Sequence, residues 1–117
     1  MQVEEFISSD LIRGHIDTMI LCVLNHEDNY GYEIVKAIAL KSQGRYELKE
    51  PSLYTSLKRL ESQGMIASYW GDETQGGRRK YYKITRQGQA AYQKSVEQWL
   101  VARDLIDTLI EGGKNRE

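Results

Sequence analysis

The sequence predicts a mainly α chain of the α+β class: three short helices, a two-stranded hairpin and one long helix. Three observations predict it. Apolar residues recur at helical spacing in three short segments before Gly64. Two runs rich in aromatic and β-branched residues, "MIASYWG" and "RRKYYKIT", flank the turn-forming "DETQGG". A long helical stretch then runs from about Arg86 until Gly112 and Gly113 stop it.

Each element has its own signals. Ser8, Ser9 and Asp10 are N-cap candidates, and Leu11, Ile12, Ile16, Met19, Ile20, Val23 and Leu24 follow at helical spacing, so a first helix is expected to about Asn25. "NHEDN" breaks it with polar turn formers. "YGYEIVKAIALKS" forms a second helix with Ile34, Val35, Ile38 and Leu40 as candidate inner residues, and Gly44 stops it. Tyr46 and Leu48 alternate as in a very short strand. Pro51, the single proline, suits the first position of a third helix, where its missing N–H costs nothing. Leu53, Leu57 and Leu60 sit at i, i+4 and i+7 and must face a core, and Gly64 ends the helix. Gly76 and Gly77 let the hairpin turn with positive φ, and Thr85 caps the last helix.

The 117 residues fit one compact unit, divided as 1–85 and an appended helix over 86–117. With one cysteine, Cys22, no intrachain disulfide can form, and a reducing compartment is expected. The first nine residues carry Glu4 and Glu5 and no basic residue, unlike a signal peptide, and no apolar run spans a bilayer. The expected location is the cytoplasm, with no membrane partner.

A net charge of −1 conceals an uneven distribution. Residues 36–86 hold 11 Lys/Arg against 5 Asp/Glu, whereas residues 1–35 hold one basic residue, Arg13, against 7 acids. It is the local field that steers an anionic partner, so a basic segment in an acidic chain is compatible with nucleic-acid binding. On the third helix, the side opposite the leucines carries Thr55, Lys58, Arg59 and Ser62, with Ser52 at its start and Tyr54 at its flank. Hydroxyls there can bond base edges or phosphates, and the cations can reach phosphates or guanine. On the hairpin, Arg78, Arg79 and Lys80 follow the glycine turn. Strand alternation puts Arg78, Lys80 and Tyr82 on one face and Arg79, Tyr81 and Lys83 on the other. Either feature alone is matched by an ordinary solvated amphipathic face; together they describe a recognition helix and a wing of a winged helix-turn-helix.

"YGYEI", "EPSLYTSLKRLESQGMI", "SYW" and "GGRRKYYKIT" make the chain resemble PadR-type transcriptional regulators, in the short form with a single C-terminal helix and most similar to the multidrug-sensing members. The resemblance covers Leu11 to Gly88 and, more loosely, the last helix. It implies a homodimer that represses transcription at a palindromic double-stranded DNA operator and releases it on binding a ligand. It also implies DNA contacts at Ser52, Tyr54, Thr55, Lys58, Arg59, Gly77, Arg78, Arg79 and Lys80. Tyr30 and Tyr32 could touch phosphate or pack beneath the third helix.

The long helix carries Tyr92, Val96, Trp99, Ile106 and Ile110 on one seam interrupted by Arg103, with Leu100, Leu105 and Leu109 widening it. That exceeds what a small core can cover. A dimer interface of this seam with Leu11, Ile12 and Ile16 is expected, which would set the recognition helices ~34–36 Å apart. Trp99 is either an interface anchor or, as the resemblance to the multidrug-sensing members implies, the wall of a site for a small planar aromatic effector. Arg103 on the seam favours a wet cavity, with Asp17 and Thr18 as candidate polar contacts, and leaves cationic, phenolic and anionic aromatics open. His15 and His26 are far apart in sequence with no clustered acids or thiols, so no metal site is expected. No nucleophile is paired with a base, so neither an enzyme nor a cofactor is expected. A protein-interaction module on the same fold is the competing function.

Overall fold

A computed structural model describes residues 8–71 and 78–112. It contains α1 (Ser9–Arg13), α2 (Ile16–His26), β1 (Asn29–Tyr30), α3 (Gly31–Lys41), α4 (Glu50–Ser62), β2 (Ile66–Trp70), β3 (Lys80–Ile84) and α5 (Arg86–Glu111). The three strands form one antiparallel sheet in the order β1-β3-β2. β2 and β3 pair from Ile66 opposite Ile84 to Trp70 opposite Lys80. The fold is the winged helix-turn-helix with a long C-terminal helix.

Leu53, Leu57 and Leu60 are all buried, together with Ile20, Leu21, Val23 and Leu24 of α2 and Ile34 and Ile38 of α3. Leu48, Ile66 and Tyr82 complete this core. Removing these side chains from water is the main driving force for the fold. α4 ends on Gly64, whose φ of +77° lets the Met65 amide donate to the Leu60 carbonyl at 2.9 Å. Thr85 then joins three elements. Its Oγ1 accepts from the Gly88 amide at 3.0 Å, capping α5, and lies 2.7 Å from the Gly64 carbonyl, to which it donates.

Four expectations are corrected. The first helix is two: Gly14 (φ −72°, ψ −4°) and His15 (φ −114°, ψ 0°) form a turn that interrupts it, and α2 restarts at Ile16. The short strand over Tyr46–Leu48 is not formed. β3 already has β1 and β2 as neighbours, and the Tyr46 amide donates to Ser42 Oγ at 3.0 Å instead of joining a ladder. A third strand comes from Asn29–Tyr30, where the end of a turn and the opening of the second helix were expected. Leu40, a candidate inner residue, is exposed.

Candidate nucleic-acid interface and adjoining cavity

α4 starts at Glu50 with Pro51 in its first turn, and its buried leucines fix which side is left to solvent. Ser52, Tyr54, Thr55, Lys58 and Arg59 are all exposed on it. Gly31 sets the distance between α3 and α4 at Tyr54. A Cβ on Gly31 would stand 2.7 Å from the Tyr54 hydroxyl and 3.2 Å from its ring carbon. The glycine of "YGY" thus makes room for an α4 side chain at the start of α3. Arg59 is not free on that face. Its Nε and Nη2 donate to the two carboxylate oxygens of Asp17 at 3.1 and 2.7 Å, and Nη2 also donates to Ser56 Oγ. The hydrogen bonds and charge of Asp17 push the Arg59 pKa up.

The wing supplies the second set of cations. Arg78, Arg79 and Lys80 are exposed, and each lies over an aromatic ring: Arg78 over Trp70, Arg79 over Tyr30 and Lys80 over Tyr82. Gly77 lies outside the described residues, as does Gly76. The two sheet faces differ. On one, Tyr69 stacks on Tyr81, Tyr30 meets Tyr81 edge-on, and the Tyr69 hydroxyl donates to Asp28. That bond pushes the Tyr69 pKa up to about 12. On the other, Ser68 donates to Glu61 of α4 at 2.7 Å and Tyr82 is buried. Burial pushes the Tyr82 pKa up, with Glu61 and Tyr54 adding to the effect, which places that face against α4. Of the two tyrosines opening α3, Tyr30 is half-buried and donates to Glu33, while Tyr32 is exposed under Lys36.

A cavity of about 650 Å³ opens between α1, the start of α2 and the middle of α5. Thr18, Trp99 and Arg103 line it, joined by His15, Ser95 and Asp107. Asp17 does not: its carboxylate points to Arg59. Of the eight residues expected at a dimer interface, Leu11, Ile12, Tyr92, Val96, Trp99 and Ile106 line the same cavity. Ile16 packs on the core, and Ile110 is exposed. His15 escaped the sequence reading. It stands edge-on to Trp99 with ring centroids 5.0 Å apart, a pairing between positions 84 residues apart that no local pattern announces. Cys22 also lines the cavity, and its thiol is hydrogen-bonded to Tyr92, raising the Tyr92 pKa.

Among the described residues no helix is long and apolar enough to cross a membrane. A model of the "Transcriptional regulator PadR-like family" matches residues 20–94. A transcriptional regulator from Clostridium thermocellum is 45% identical with a TM-score of 0.82, over 89% of this chain and 98% of its own. An uncharacterized protein of Lysinibacillus sphaericus is 41% identical over 91% of this chain and 97% of its own. Bacillus subtilis PadR, solved in complex with operator DNA, shares the fold at 21% identity, with a TM-score of 0.62 over 69% of this chain and 47% of its own. Buried leucines under the exposed face of α4, cations on the wing and a family match spanning both place the chain: it belongs to the PadR-like family of transcriptional regulators, which are not enzymes.

Proposed function

We propose that this chain is a cytoplasmic repressor that binds a palindromic operator as a homodimer and senses planar aromatic compounds. Residues 1–85 form the DNA-binding unit and 86–117 the dimerisation helix. Ser52, Tyr54, Thr55 and Lys58 meet the major groove, with Arg59 at its edge, while Gly77, Arg78, Arg79 and Lys80 grip phosphates. That Bacillus subtilis PadR, on the same fold, was solved in complex with operator DNA supports DNA as the partner.

The observation that carries the regulatory part is the position of α2 between the two sites. In its first turn Asp17 holds Arg59 of the recognition helix, while the adjacent His15 and Thr18 line the cavity. A ligand that moves this turn acts on both. The effector site lies between Trp99, Arg103 and Thr18, and Asp17 works from behind its wall. The dimer rests on α5, where Leu105, Ile106, Leu109 and Ile110 are between 47% and 76% exposed, an apolar stripe that a second copy can cover. Selecting bound duplexes from a random pool tests the reading. A palindromic consensus is expected, together with a dimer by sedimentation at micromolar protein. Absence of duplex binding at low salt would assign the fold to protein interaction instead.

A further inference from the structure

Trp70 is 57% exposed at the outer end of β2, an uncommon position for the largest side chain. Its orientation is fixed by its strand. Ile66, Ser68 and Trp70 share a face. Ile66 is in the core and Ser68 donates to Glu61 of α4, so Trp70 emerges on the recognition-helix side of the sheet. Its surroundings are cationic. The Arg78 guanidinium lies 5.3 Å from the indole centroid, and Lys80 is its partner across the strands. The backbone there is held beyond the strand as well, because the Gly71 amide donates to the Arg79 carbonyl at 2.7 Å. Gly71 is required for this closure: a Cβ on it would overlap the Tyr81 ring.

We propose that Trp70 is a DNA-contacting residue, packing its indole on the sugar–phosphate wall beside the groove that α4 enters and holding Arg78 towards a phosphate. This rests on the DNA-binding reading above. The occupant follows from charge and continuity: an apolar plate between two cations, on the same side as Lys58 and Tyr54, matches deoxyribose flanked by phosphates. A rigid plate under Arg78 also lowers the entropy lost when that long side chain is ordered against DNA. A contact to the backbone serves every sequence alike, so Trp70 sets affinity and leaves base preference to α4.

The test uses the full chain and a duplex carrying its selected consensus. Duplex should quench tryptophan emission in the native protein and quench it much less in Trp70→Phe. Trp70→Ala should weaken binding about tenfold at constant salt, with Trp70→Phe recovering part of the loss because a π face remains for Arg78. Arg78→Ala should cost less in the Trp70→Ala background than in the native protein. Consensus and scrambled duplexes should weaken together. Equal quenching in native and Trp70→Phe, or independent effects of Trp70 and Arg78, would overturn the inference while native binding kept the repressor reading intact. A Trp70→Ala protein that sediments as a monomer from a dimeric parent would reassign the indole to self-association and overturn it too. Failure of the native protein to bind any duplex at low salt would remove both readings.

Discussion

Arg59 of the recognition helix and Asp17 of α2, 42 residues apart, form a two-pronged ion pair, Nε to Oδ2 at 3.1 Å and Nη2 to Oδ1 at 2.7 Å. Two parallel N–H donors fix the guanidinium plane as a single bond could not. Both side chains are partly exposed, 45% and 32%, so solvent screens the pair, and its contribution to stability is at most about 1 kcal/mol. Its larger effect is on charge at the exposed face of α4, where Asp17 cancels one of the few cations.

Asp17→Asn should therefore raise affinity for duplexes of any sequence and steepen the salt dependence by about one unit of slope, as Arg59 becomes available to a phosphate. Fluorescence anisotropy against a salt series reads this, and chemical denaturation should show only a small loss of stability. An unchanged slope would make Arg59 a strut between α2 and α4 rather than a DNA contact.

The recognition helix and the hairpin were legible because their signals are local. Leu53, Leu57 and Leu60 declare the inner side of α4 by spacing alone, and a proline and a glycine mark its ends. The hairpin is flanked by strand formers that pair in the expected direction. What stayed illegible depends on tertiary contact. The break at Gly14 is hidden because apolar residues keep helical spacing across it. β1 is two residues long, too short for any periodicity, and exists because β3 offers an edge. Asp17 looked like a polar wall for the cavity, since it lies beside Thr18, but a neighbour in sequence points about 100° away on a helix and here meets Arg59. His15 looked bland until α5 brought Trp99 against it.

Gly88 is the tightest point between α5 and the wing. An added Cβ would collide with the Met65 carbonyl oxygen, a backbone atom that cannot swing aside, and would sit 2.8 Å from Ile84. Gly88→Ala should destabilise by about 1–3 kcal/mol or more, despite alanine's better helix propensity. Thermal unfolding followed by circular dichroism checks it. A stability equal to the parent's would mean that α5 can pivot on the Thr85 cap, with the helix direction less fixed than this contact implies.

Tyr69 gives the wing a pH limit. Its hydrogen bond to Asp28 raises the folded-state pKa to about 12, above the unfolded value of 10.0. A raised pKa means that the stabilisation is fully present below about pH 10 and is lost as pH rises through the folded pKa. Denaturant midpoints should fall across that window. Tyr69→Phe should start slightly lower at neutral pH and fall less steeply, with the residual slope coming from Tyr82, whose pKa burial also raises. Parallel curves for the two proteins would show that the Asp28 bond does not contribute.

Trp99 joins the cavity to its chemistry. It lies near the middle of α5, 42% exposed, with His15 against its edge and Arg103 one turn further along the same helix. It shares a cavity of about 650 Å³ with apolar side chains such as Leu11, Ile12, Val96 and Ile106 and with the polar Arg103, His15 and Asp107, a size and make-up suited to a planar aromatic molecule carrying a polar substituent. In a Trp70→Phe background, indole emission reports Trp99 alone. A planar aromatic dye should quench it saturably, and Trp99→Ala should lose dye binding, followed by the dye's own signal, while the protein still sediments as the parent does. Arg103→Ala should weaken an anionic dye more than a cationic one, because it removes the positive charge and leaves Asp107 in place. Undiminished dye binding in Trp99→Ala would reduce Trp99 to a packing residue. Equal loss of both dyes in Arg103→Ala would show that Arg103 shapes the cavity without selecting charge.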